Sequence, residues 1–412
     1  MFSRRTNWKL ALNRFSIALE KHRAAGRKLL DLTASNPTII GLRYNSDAIL
    51  SALSNPQSLE YRPDPKGLRV VRDAVAAYYR ERGANVDPER MILTASTSEA
   101  YSFVFRLLCD PDDDVLVPAP SYPLFQFLAD IQDVRLRPYP LFYDQGWHMD
   151  THAVSTAVGE RTRAVMLVHP NNPTGSYVQA GEAEALNAIC AERGLAVVAD
   201  EVFLDFAHDG QARSTFAVAP PLSLPGEPAL SAVEGERQGG GFPDALTFTL
   251  SGLSKISGLP QMKFAWIAIS GPDDLARDAM ARLEVVADTY LSMNTPIQHA
   301  APALFAERHD FQRQLMQRIR SNLAELDGQL AEQKVCERLD IQGGWYAVLR
   351  VPVTRSDEDL TIALLEKKSV LVHPGHFYDF PADGYLVLSL IVREEEFREG
   401  TRRLLEFVIG NL

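Results

Sequence analysis

The sequence predicts an α/β fold with a large domain built on a mostly parallel seven-stranded sheet and a smaller α+β domain. Short apolar runs alternate with helical patterns through the middle of the 412-residue chain, as in a wound sheet. Most of these runs are continuously apolar, which is typical of strands that are buried on both faces. The seven predicted strands cover residues 91–94, 115–118, 134–138, 164–169, 196–200, 246–250 and 264–269.

Helical patterns fit between these strands. Two examples are residues 99–109 and residues 183–193, and Gly194 is expected to end the second helix. A long helix is predicted through residues 311–330, after the segment that ends at Pro296. A small α+β unit then completes the chain.

These elements suggest how the chain divides into domains. Residues 45–295 are predicted to form the large domain, and residues 1–44 and 296–412 the small one. Within the large domain, residues 220–243 are rich in Gly, Pro, Ser and Glu and have no hydrophobic periodicity. Such a composition predicts an inserted surface loop.

The composition argues against several kinds of partner. A net charge of -11 and a pI near 5.4 do not favour nucleic acid or an anionic membrane surface. No stretch approaches the roughly 20 apolar residues of a membrane span. Cys109, Cys190 and Cys336 are odd in number and widely spaced, so neither a disulfide framework nor a metal site is expected. An enzyme of the reducing cytoplasm fits these features best.

Three polar residues stand in order at the ends of separate apolar runs. They are Asn172 in HPNNPTG, Asp200 in VVADEVF and Lys255 in LSGLSKISG. A lysine amine can form a Schiff base with an aldehyde, and an aspartate can keep a pyridine ring protonated so that it withdraws electrons. Taken singly, they could be a turn asparagine, a capping aspartate and a surface lysine. Together they indicate a site for pyridoxal 5'-phosphate, with Asp200 on its ring nitrogen and Lys255 joined to it.

The trio and its flanking residues resemble the class I/II aminotransferases, the fold type I family of pyridoxal-phosphate enzymes. The resemblance runs from about Asn36 to the C-terminus and implies the same fold. By resemblance, Asn172 binds the ring hydroxyl and Tyr122 lies against the ring. Without the resemblance, an ordinary half-buried tyrosine would explain Tyr122 equally well.

The resemblance also implies how the phosphate is bound. Ser96-Thr97-Ser98-Glu99 has the pattern of a capping box at a helix start, where backbone amides can receive an anion. Thr97 and Ser98 correspond to phosphate ligands of the family. Tyr61 matches a tyrosine that the family sends to the phosphate of a partner subunit, so a homodimer with shared active sites is expected.

The chain departs from the family pattern at three positions near the cofactor. Lys263 stands where the family usually has an arginine on the phosphate, and lysine keeps the charge but not the two-pronged fork. Gly252 replaces a serine that binds phosphate in many members, although the adjacent Ser251 could substitute. Phe203 replaces a tyrosine that bonds the ring hydroxyl. These changes suggest that the cofactor still binds, with altered contacts to its phosphate and its ring hydroxyl.

The substrate side departs further. Most members grip the substrate carboxylate with an arginine in a late strand of the form R-L-S, and here Val387 stands in that place. Two alternatives follow. Either Arg393 or another basic group reaches the carboxylate, or the substrate is an amine or unusual amino acid without that grip. Asn36 is a further candidate substrate ligand.

The expected activity is transfer of an amino group between an amino acid and a 2-keto acid. In the implied mechanism the freed amine of Lys255 moves the substrate's α-proton as general acid and base. A lyase or decarboxylase on the same scaffold remains an alternative, because this cofactor serves several bond cleavages. A regulator that binds the cofactor without turnover is another. The sequence does not identify the amino donor.

Overall fold

The structure is a computed structural model that describes residues 1–218, 244–291 and 293–411. The predicted loop at 220–243 lies outside the described residues. The strands of the described part are β1 (Leu30–Asp31), β2 (Met91–Thr94), β3 (Asp114–Ala119), β4 (Arg135–Tyr143), β5 (Trp147–Met149), β6 (Thr162–Val168), β7 (Ala196–Asp200), β8 (Thr247–Gly252), β9 (Ala265–Ser270), β10 (Glu337–Arg338), β11 (Tyr346–Arg350), β12 (Val370–Leu371), β13 (His373–Pro374) and β14 (Tyr385–Ser389).

The helices lie before, between and after these strands. They are α1 (Arg14–Ala24), α2 (Ser46–Leu53), α3 (Arg69–Arg80), α4 (Thr97–Leu108), α5 (Phe125–Ile131), α6 (Thr151–Ala157), α7 (Ala180–Arg193), α8 (Leu253–Ile256), α9 (Asp273–Thr289), α10 (Thr295–Ala306), α11 (Arg308–Ala331), α12 (Asp357–Lys368) and α13 (Glu394–Ile409). Short 3₁₀ turns cover Arg4–Thr6, Pro56–Leu59, Pro88–Arg90, Pro260–Met262 and Gly375–Tyr378.

A large sheet of strand order β2-β9-β8-β7-β6-β3-β4-β5 forms the centre of the molecule. Neighbours from β8 through β4 run parallel, whereas β9 runs antiparallel to both β8 and β2. All seven predicted strands are present in this sheet. It has one strand more than predicted, because β5 pairs antiparallel with the far end of β4. A three-residue strand is too short to produce a recognisable pattern in the sequence.

Burial on both faces explains why the central strands are continuously apolar. In β7, Ala196 and Val198 enter one core with helices α4 and α9. Val197 and Ala199 enter the core on the opposite face, with α7. Since successive side chains of a strand point to opposite faces, both sets must be apolar.

The predicted helix ends are set by local chemistry. The N-cap of α4 is Ser96, whose hydroxyl accepts a hydrogen bond from the Glu99 amide at 3.1 Å. The Glu99 carboxylate in turn accepts from the Ala95 amide at 2.7 Å. Helix α7 ends at Gly194 in the left-handed conformation, with φ of 64°. The predicted helix start at Ser96 and the C-cap at Gly194 are therefore confirmed, but Glu99 bonds the amide before the N-cap, so only half of the predicted capping box is formed.

The C-terminal unit contains a four-stranded sheet of order β10-β11-β14-β13. Its core includes Leu388 of β14, Trp345 just before β11 and Ile319 of α11. Strand β1 pairs with β12, which ties the N-terminal segment to this unit. Helix α10 instead packs Phe305 near Trp266 of the large sheet. The division at residues 44/45 and 295/296 stays a prediction.

Helix α11 also touches the loop that follows β8. Gly258 in this loop has a φ of +64°, and a methyl group there would lie 2.2 Å from Cε2 of Phe311. Phe311 is buried in the C-terminal core. The close approach of ring and backbone therefore requires glycine at this position.

We predict that Gly258→Ala lowers the free energy of unfolding by at least about 2 kcal/mol, because the new methyl adds both overlap and a strained φ. Gly328→Ala in α11 is a suitable control, since nothing lies within 4 Å of its Cβ position. That control should gain up to about 1 kcal/mol from higher helix propensity. Chemical denaturation of both variants measures the difference. Equal stability of the two variants would contradict this packing.

Candidate active site

A cavity of about 270 Å³ opens where the strands of the large sheet end. In an open α/β sheet, ligands bind at the carboxyl ends of the strands. Asp200 is the last residue of β7, while Lys255 follows β8 and Asn172 follows β6. The predicted residues that line this cavity are Thr97, Ser98, Tyr122, Asn172, Asp200, Lys255 and Lys263.

The amine of Lys255 lies against aromatic rings. Its Nζ is 4.6 Å from the ring centre of Trp345 and 5.3 Å from that of Phe203. Burial lowers the pKa of Lys255 to about 8, and the charge of Asp200 opposes that change. Near pH 8 about half of this lysine is thus the uncharged amine, which is the nucleophilic and basic form.

Asp200 is a buried carboxylate with two donors. It accepts a hydrogen bond from the Tyr101 hydroxyl at 2.7 Å and another from the Val202 amide at 3.0 Å. Burial raises the pKa of Asp200, while these bonds and Lys255 act in the opposite direction. A protonated ring nitrogen would supply a further partner for the buried anion. Tyr101 has no motif of its own in the sequence, although it stands one helical turn after Thr97 on α4.

The end of the cavity at α4 suits an anion. Thr97 and Ser98 are the first residues of this helix, and their backbone amides have no carbonyl ahead of them in the helix. Lys263 adds a positive charge, and Ser254 adds a hydroxyl that the sequence analysis did not assign. These groups are of the kind that binds a phosphate.

The structure explains the glycine at position 252. A Cβ there would lie 2.8 Å from the carbonyl oxygen of Phe264, so a serine would require the backbone to move. Ser251 does not substitute for it, because Ser251 is buried and its hydroxyl donates to the Glu201 carbonyl at 3.4 Å. Ser254 is instead the serine of this loop that lines the cavity.

Asn172 provides a test of whether pyridoxal phosphate fits. Its Oδ1 atom is buried and has no hydrogen-bond partner among the described residues. The neighbouring Asn171 is fully engaged, because its amide donates to Pro120 and Thr174 and its oxygen accepts from Ser121. A hydroxyl on a bound ring would satisfy Asn172. The residues present therefore fit the cofactor.

Three predicted residues do not line the cavity. Tyr61 is 75% exposed. Asn36 is also exposed, and its Oδ1 accepts from the amide and hydroxyl of Thr38. The exposed Arg393 lies near Gly41, where a methyl group would be 3.4 Å from its Nε. Their roles in the partner contact and in substrate binding stay predictions.

The far side of the cavity carries neutral polar groups. Ser35 and Tyr346 line it and were not identified from the sequence. Burial raises the pKa of Tyr346, and a hydrogen bond with Ser35 opposes this. Val387, at the position of the family's arginine, is buried in β14 opposite Val348. Ser35 and Tyr346 lie far apart in the chain, so no local pattern could have paired them.

In the described ranges, no helix has both the length and the apolarity that crossing a membrane requires. The same ranges contain no group of three or more His, Cys, Asp or Glu side chains arranged to hold a metal ion. Cys109, Cys190 and Cys336 are free thiols.

Comparison with known proteins identifies the family. The family model described as aminotransferase class I and II matches residues 27–404. The chain belongs to the class I and II aminotransferases. This family uses pyridoxal phosphate, so the predicted recognition, enzyme class and cofactor are confirmed.

Similar proteins carry related names. The glutamate-pyruvate aminotransferase AlaA of Haemophilus influenzae is 23% identical over 401 residues, covering 93% of this chain and 91% of that protein. The alanine aminotransferase of Mycobacterium tuberculosis is 25% identical over 407 residues, covering 94% and 87%. This aminotransferase therefore has relatives that match it over most of both chains.

Solved structures have the same fold. An alanine aminotransferase from Pyrococcus furiosus matches with a TM-score of 0.85 and 21% identity, covering 100% of both chains. A double mutant of the Thermus thermophilus aspartate aminotransferase matches with a TM-score of 0.80 and 23% identity, covering 99% of both. The predicted fold type I architecture is confirmed.

The depressed pKa of Lys255 predicts a pH-dependent stability in the cofactor-free protein. Unfolding returns the pKa from about 8 toward 10.5, so the unfolded state binds more protons between these values and stability rises with pH there. The free energy of unfolding of Lys255→Met should exceed that of wild type by about 1–3 kcal/mol at pH 7. This difference should disappear as the pH approaches 10.5. Urea unfolding at a series of pH values measures it. A gap that does not change with pH would refute the shift.

Proposed function

We propose that the cavity around Lys255 is the site of amino transfer between an amino acid and a 2-keto acid. The observation that carries this proposal is the convergence of three groups in one cavity. They are the Lys255 amine with its lowered pKa, the buried carboxylate of Asp200, and the Asn172 oxygen, which has no hydrogen-bond partner among the described residues.

The proposed roles follow from what each side chain can do. Pyridoxal phosphate, when bound, supplies an aldehyde for the lysine amine and a ring that withdraws electrons from the substrate. Lys255 Nζ, when free, takes the proton that the substrate's α-carbon releases and later returns it. Asp200, oriented by Tyr101, would keep the ring nitrogen protonated, and Asn172 would accept a hydrogen bond from the ring hydroxyl.

The remaining roles concern binding. The amides at the start of α4, the hydroxyls of Thr97 and Ser98, and the ammonium of Lys263 hold the phosphate. Tyr122 lines the cavity, where its ring would lie against the bound cofactor. Lys263 attracts the phosphate as a single point charge, so the loop serine Ser254 would supply part of the directional bonding that an arginine fork provides elsewhere.

The amino donor is proposed from the relatives. Several are named for alanine, glutamate and pyruvate, so these compounds are the first substrates to test. Among the described residues that line the cavity, Lys255 and Lys263 are the cationic ones, and both have proposed roles at the cofactor. A carboxylate beside the reacting carbon would then meet uncharged donors such as Ser35 and Tyr346.

A homodimer is proposed as the working assembly. Tyr61 is 75% exposed and Leu59 is 91% exposed, and both lie on the segment whose tyrosine is expected to reach a partner's phosphate. An ion pair of 3.4 Å between Lys66 and Glu284 holds this segment near α9. A second copy of the chain would cover the apolar residues. The free thiols support a reducing compartment, and we propose the cytoplasm.

Substitution of the two central residues tests the proposed roles. Wild type should convert an amino acid to its keto acid in a single turnover. Lys255→Ala should lower that rate by about 10²–10⁴-fold or more, since it removes the proton-transfer group. Asp200→Asn should slow it strongly while the protein stays folded.

Product analysis by mass spectrometry separates the alternatives. Keto acid with the amino group retained on the cofactor identifies transamination, whereas release of carbon dioxide identifies a decarboxylase. Cofactor binding without any product identifies a regulator. Turnover by Lys255→Ala at the wild-type rate would refute the assignment of Lys255.

A second test concerns the substrate carboxylate. Because the Arg393 guanidinium lies near Gly41 and does not line the cavity, Arg393→Ala should change the preference for an amino acid over its decarboxylated amine by less than about threefold. Arg398→Ala, five residues later in helix α13 and paired with Glu325, is the control. Steady-state kinetics with both substrates measures the ratio. A tenfold loss of acid preference in Arg393→Ala alone would instead identify this residue as the carboxylate ligand.

A further inference from the structure

The segment that carries Lys255 is held from outside by a glutamine. Helix α8 (Leu253–Ile256) is only four residues long, so its carbonyl groups have few partners within the helix. The side-chain nitrogen of Gln312, on α11, donates to the carbonyl oxygen of Ile256 at 2.9 Å. Ile256 directly follows Lys255. Gln312 therefore contacts the backbone one residue away from the proposed reactive amine.

The same nitrogen contacts the segment that carries Asp200. Nε2 of Gln312 also donates to Oδ2 of Asp205 at 3.0 Å, five residues after Asp200. Asp205 is nearly enclosed, with its side chain 6% exposed, and it forms an ion pair with Arg82. The Tyr78 hydroxyl lies 3.3 Å from both carboxylate oxygens. These contacts fix the carboxylate that orients the glutamine.

The two bonds use the full donor capacity of the amide. A glutamine side chain has two N–H hydrogens, and here one faces a carbonyl and the other a carboxylate. The loop after Lys255 has other tethers, because Tyr44 donates to the Gly258 carbonyl and Ser257 to the Leu304 carbonyl. Those tethers do not connect to the Asp200 segment. The glutamine does.

We infer that Gln312, oriented by Asp205, is a positioning residue that sets the place of Lys255 relative to Asp200. The inference rests on the proposed function of Lys255. A displacement of about 1 Å between reacting groups can lower a rate by about 100-fold, so a tether this close to the amine affects catalysis. Since Phe311 and Leu315 of the same helix lie in the C-terminal core, the tether also links that core to the lysine.

Gln312→Glu is the sharpest test because it keeps the size of the side chain. An ionised glutamate has no hydrogen to donate and would face the Asp205 carboxylate and the Ile256 carbonyl. We expect kcat to fall by about 10- to 100-fold, with KM changed by less than about threefold. The unfolding temperature of each variant shows whether the fold is retained.

Gln314→Glu is the matched control on the same helix. Gln314 likewise donates to a carbonyl, that of Arg43 at 2.9 Å, and to a carboxylate, that of Asp310 at 2.7 Å. It has no contact with the lysine segment among its hydrogen bonds. The control should keep kcat within about twofold of wild type, because the hydrogen bonds that Gln314→Glu loses lie away from the reacting groups.

A second measurement does not depend on turnover. In the cofactor-free protein, acetic anhydride labels the uncharged amine of Lys255, and peptide mass spectrometry gives the labelling rate at each pH. A new negative charge near the amine favours its protonated form, so Gln312→Glu should lower the labelling rate near pH 8 by roughly threefold or more. Gln314→Glu should match wild type.

Gln312→Met covers the case in which the glutamate variant does not fold. Methionine keeps the length and volume but removes both donors, so kcat should still fall at least about tenfold. A folded Gln312→Met protein with wild-type kcat would overturn the inference, as would equal losses in Gln312→Glu and Gln314→Glu. If wild type transfers no amino group, the proposed function fails, and the labelling rate of Gln312→Met then decides whether Gln312 positions the lysine: this variant removes both hydrogen bonds without adding a charge, so a wild-type labelling rate would overturn the inference.

Discussion

The site depends on a charge that is buried at the end of a strand. Asp200 ends β7 inside the molecule, where an ionised carboxylate is unfavourable without partners. Tyr101 and the Val202 amide supply two hydrogen bonds, and Lys255 supplies a nearby positive charge. The same enclosure lowers the pKa of Lys255 to about 8. One low-dielectric cavity thus makes the acid harder to ionise and the lysine easier to deprotonate.

Close backbone packing around the lysine explains why this chain departs from its family at Gly252. The edge of β9 approaches so closely that the Phe264 carbonyl occupies the space a side chain would need. Serine is then available at Ser254 rather than at 252. Phe203 is part of the same arrangement, because its ring packs edge-on against Trp345 at 5.3 Å. The apolar Phe203 ring also borders the lysine amine, and it offers no hydroxyl to that amine.

The N-terminal and C-terminal parts of the chain complete a site that the large sheet begins. Ser35 precedes the sheet and Tyr346 follows it, and both line the cavity. Ser389 of β14 donates to the Ala34 carbonyl at 2.5 Å, which holds the segment before Ser35 against the C-terminal sheet. The side of the cavity lined by Ser35 and Tyr346 therefore depends on the packing of the C-terminal unit, whereas the side lined by Asp200 depends on the large sheet.

The sequence by itself determined the large sheet and the cofactor side of the cavity. Strands buried on both faces, such as β7, must be apolar throughout, and a glycine or capping box fixes helix ends through bonds between near neighbours. Asp200 and Lys255 were found because Asp200 ends such a strand and Lys255 comes shortly after another. Interactions between near neighbours of this kind can be predicted from the sequence.

Tertiary structure alone decided the rest. Three hydrogen bonds join residues far apart in the sequence: Tyr101 with Asp200, Tyr346 with Ser35, and Gln312 with Ile256. No local sequence pattern predicts these contacts. The glycine at 252 has an ordinary extended backbone, so only its neighbour on β9 reveals why it is there. Pairing between distant segments depends on how helices and sheets pack, which the order of residues within one segment does not specify.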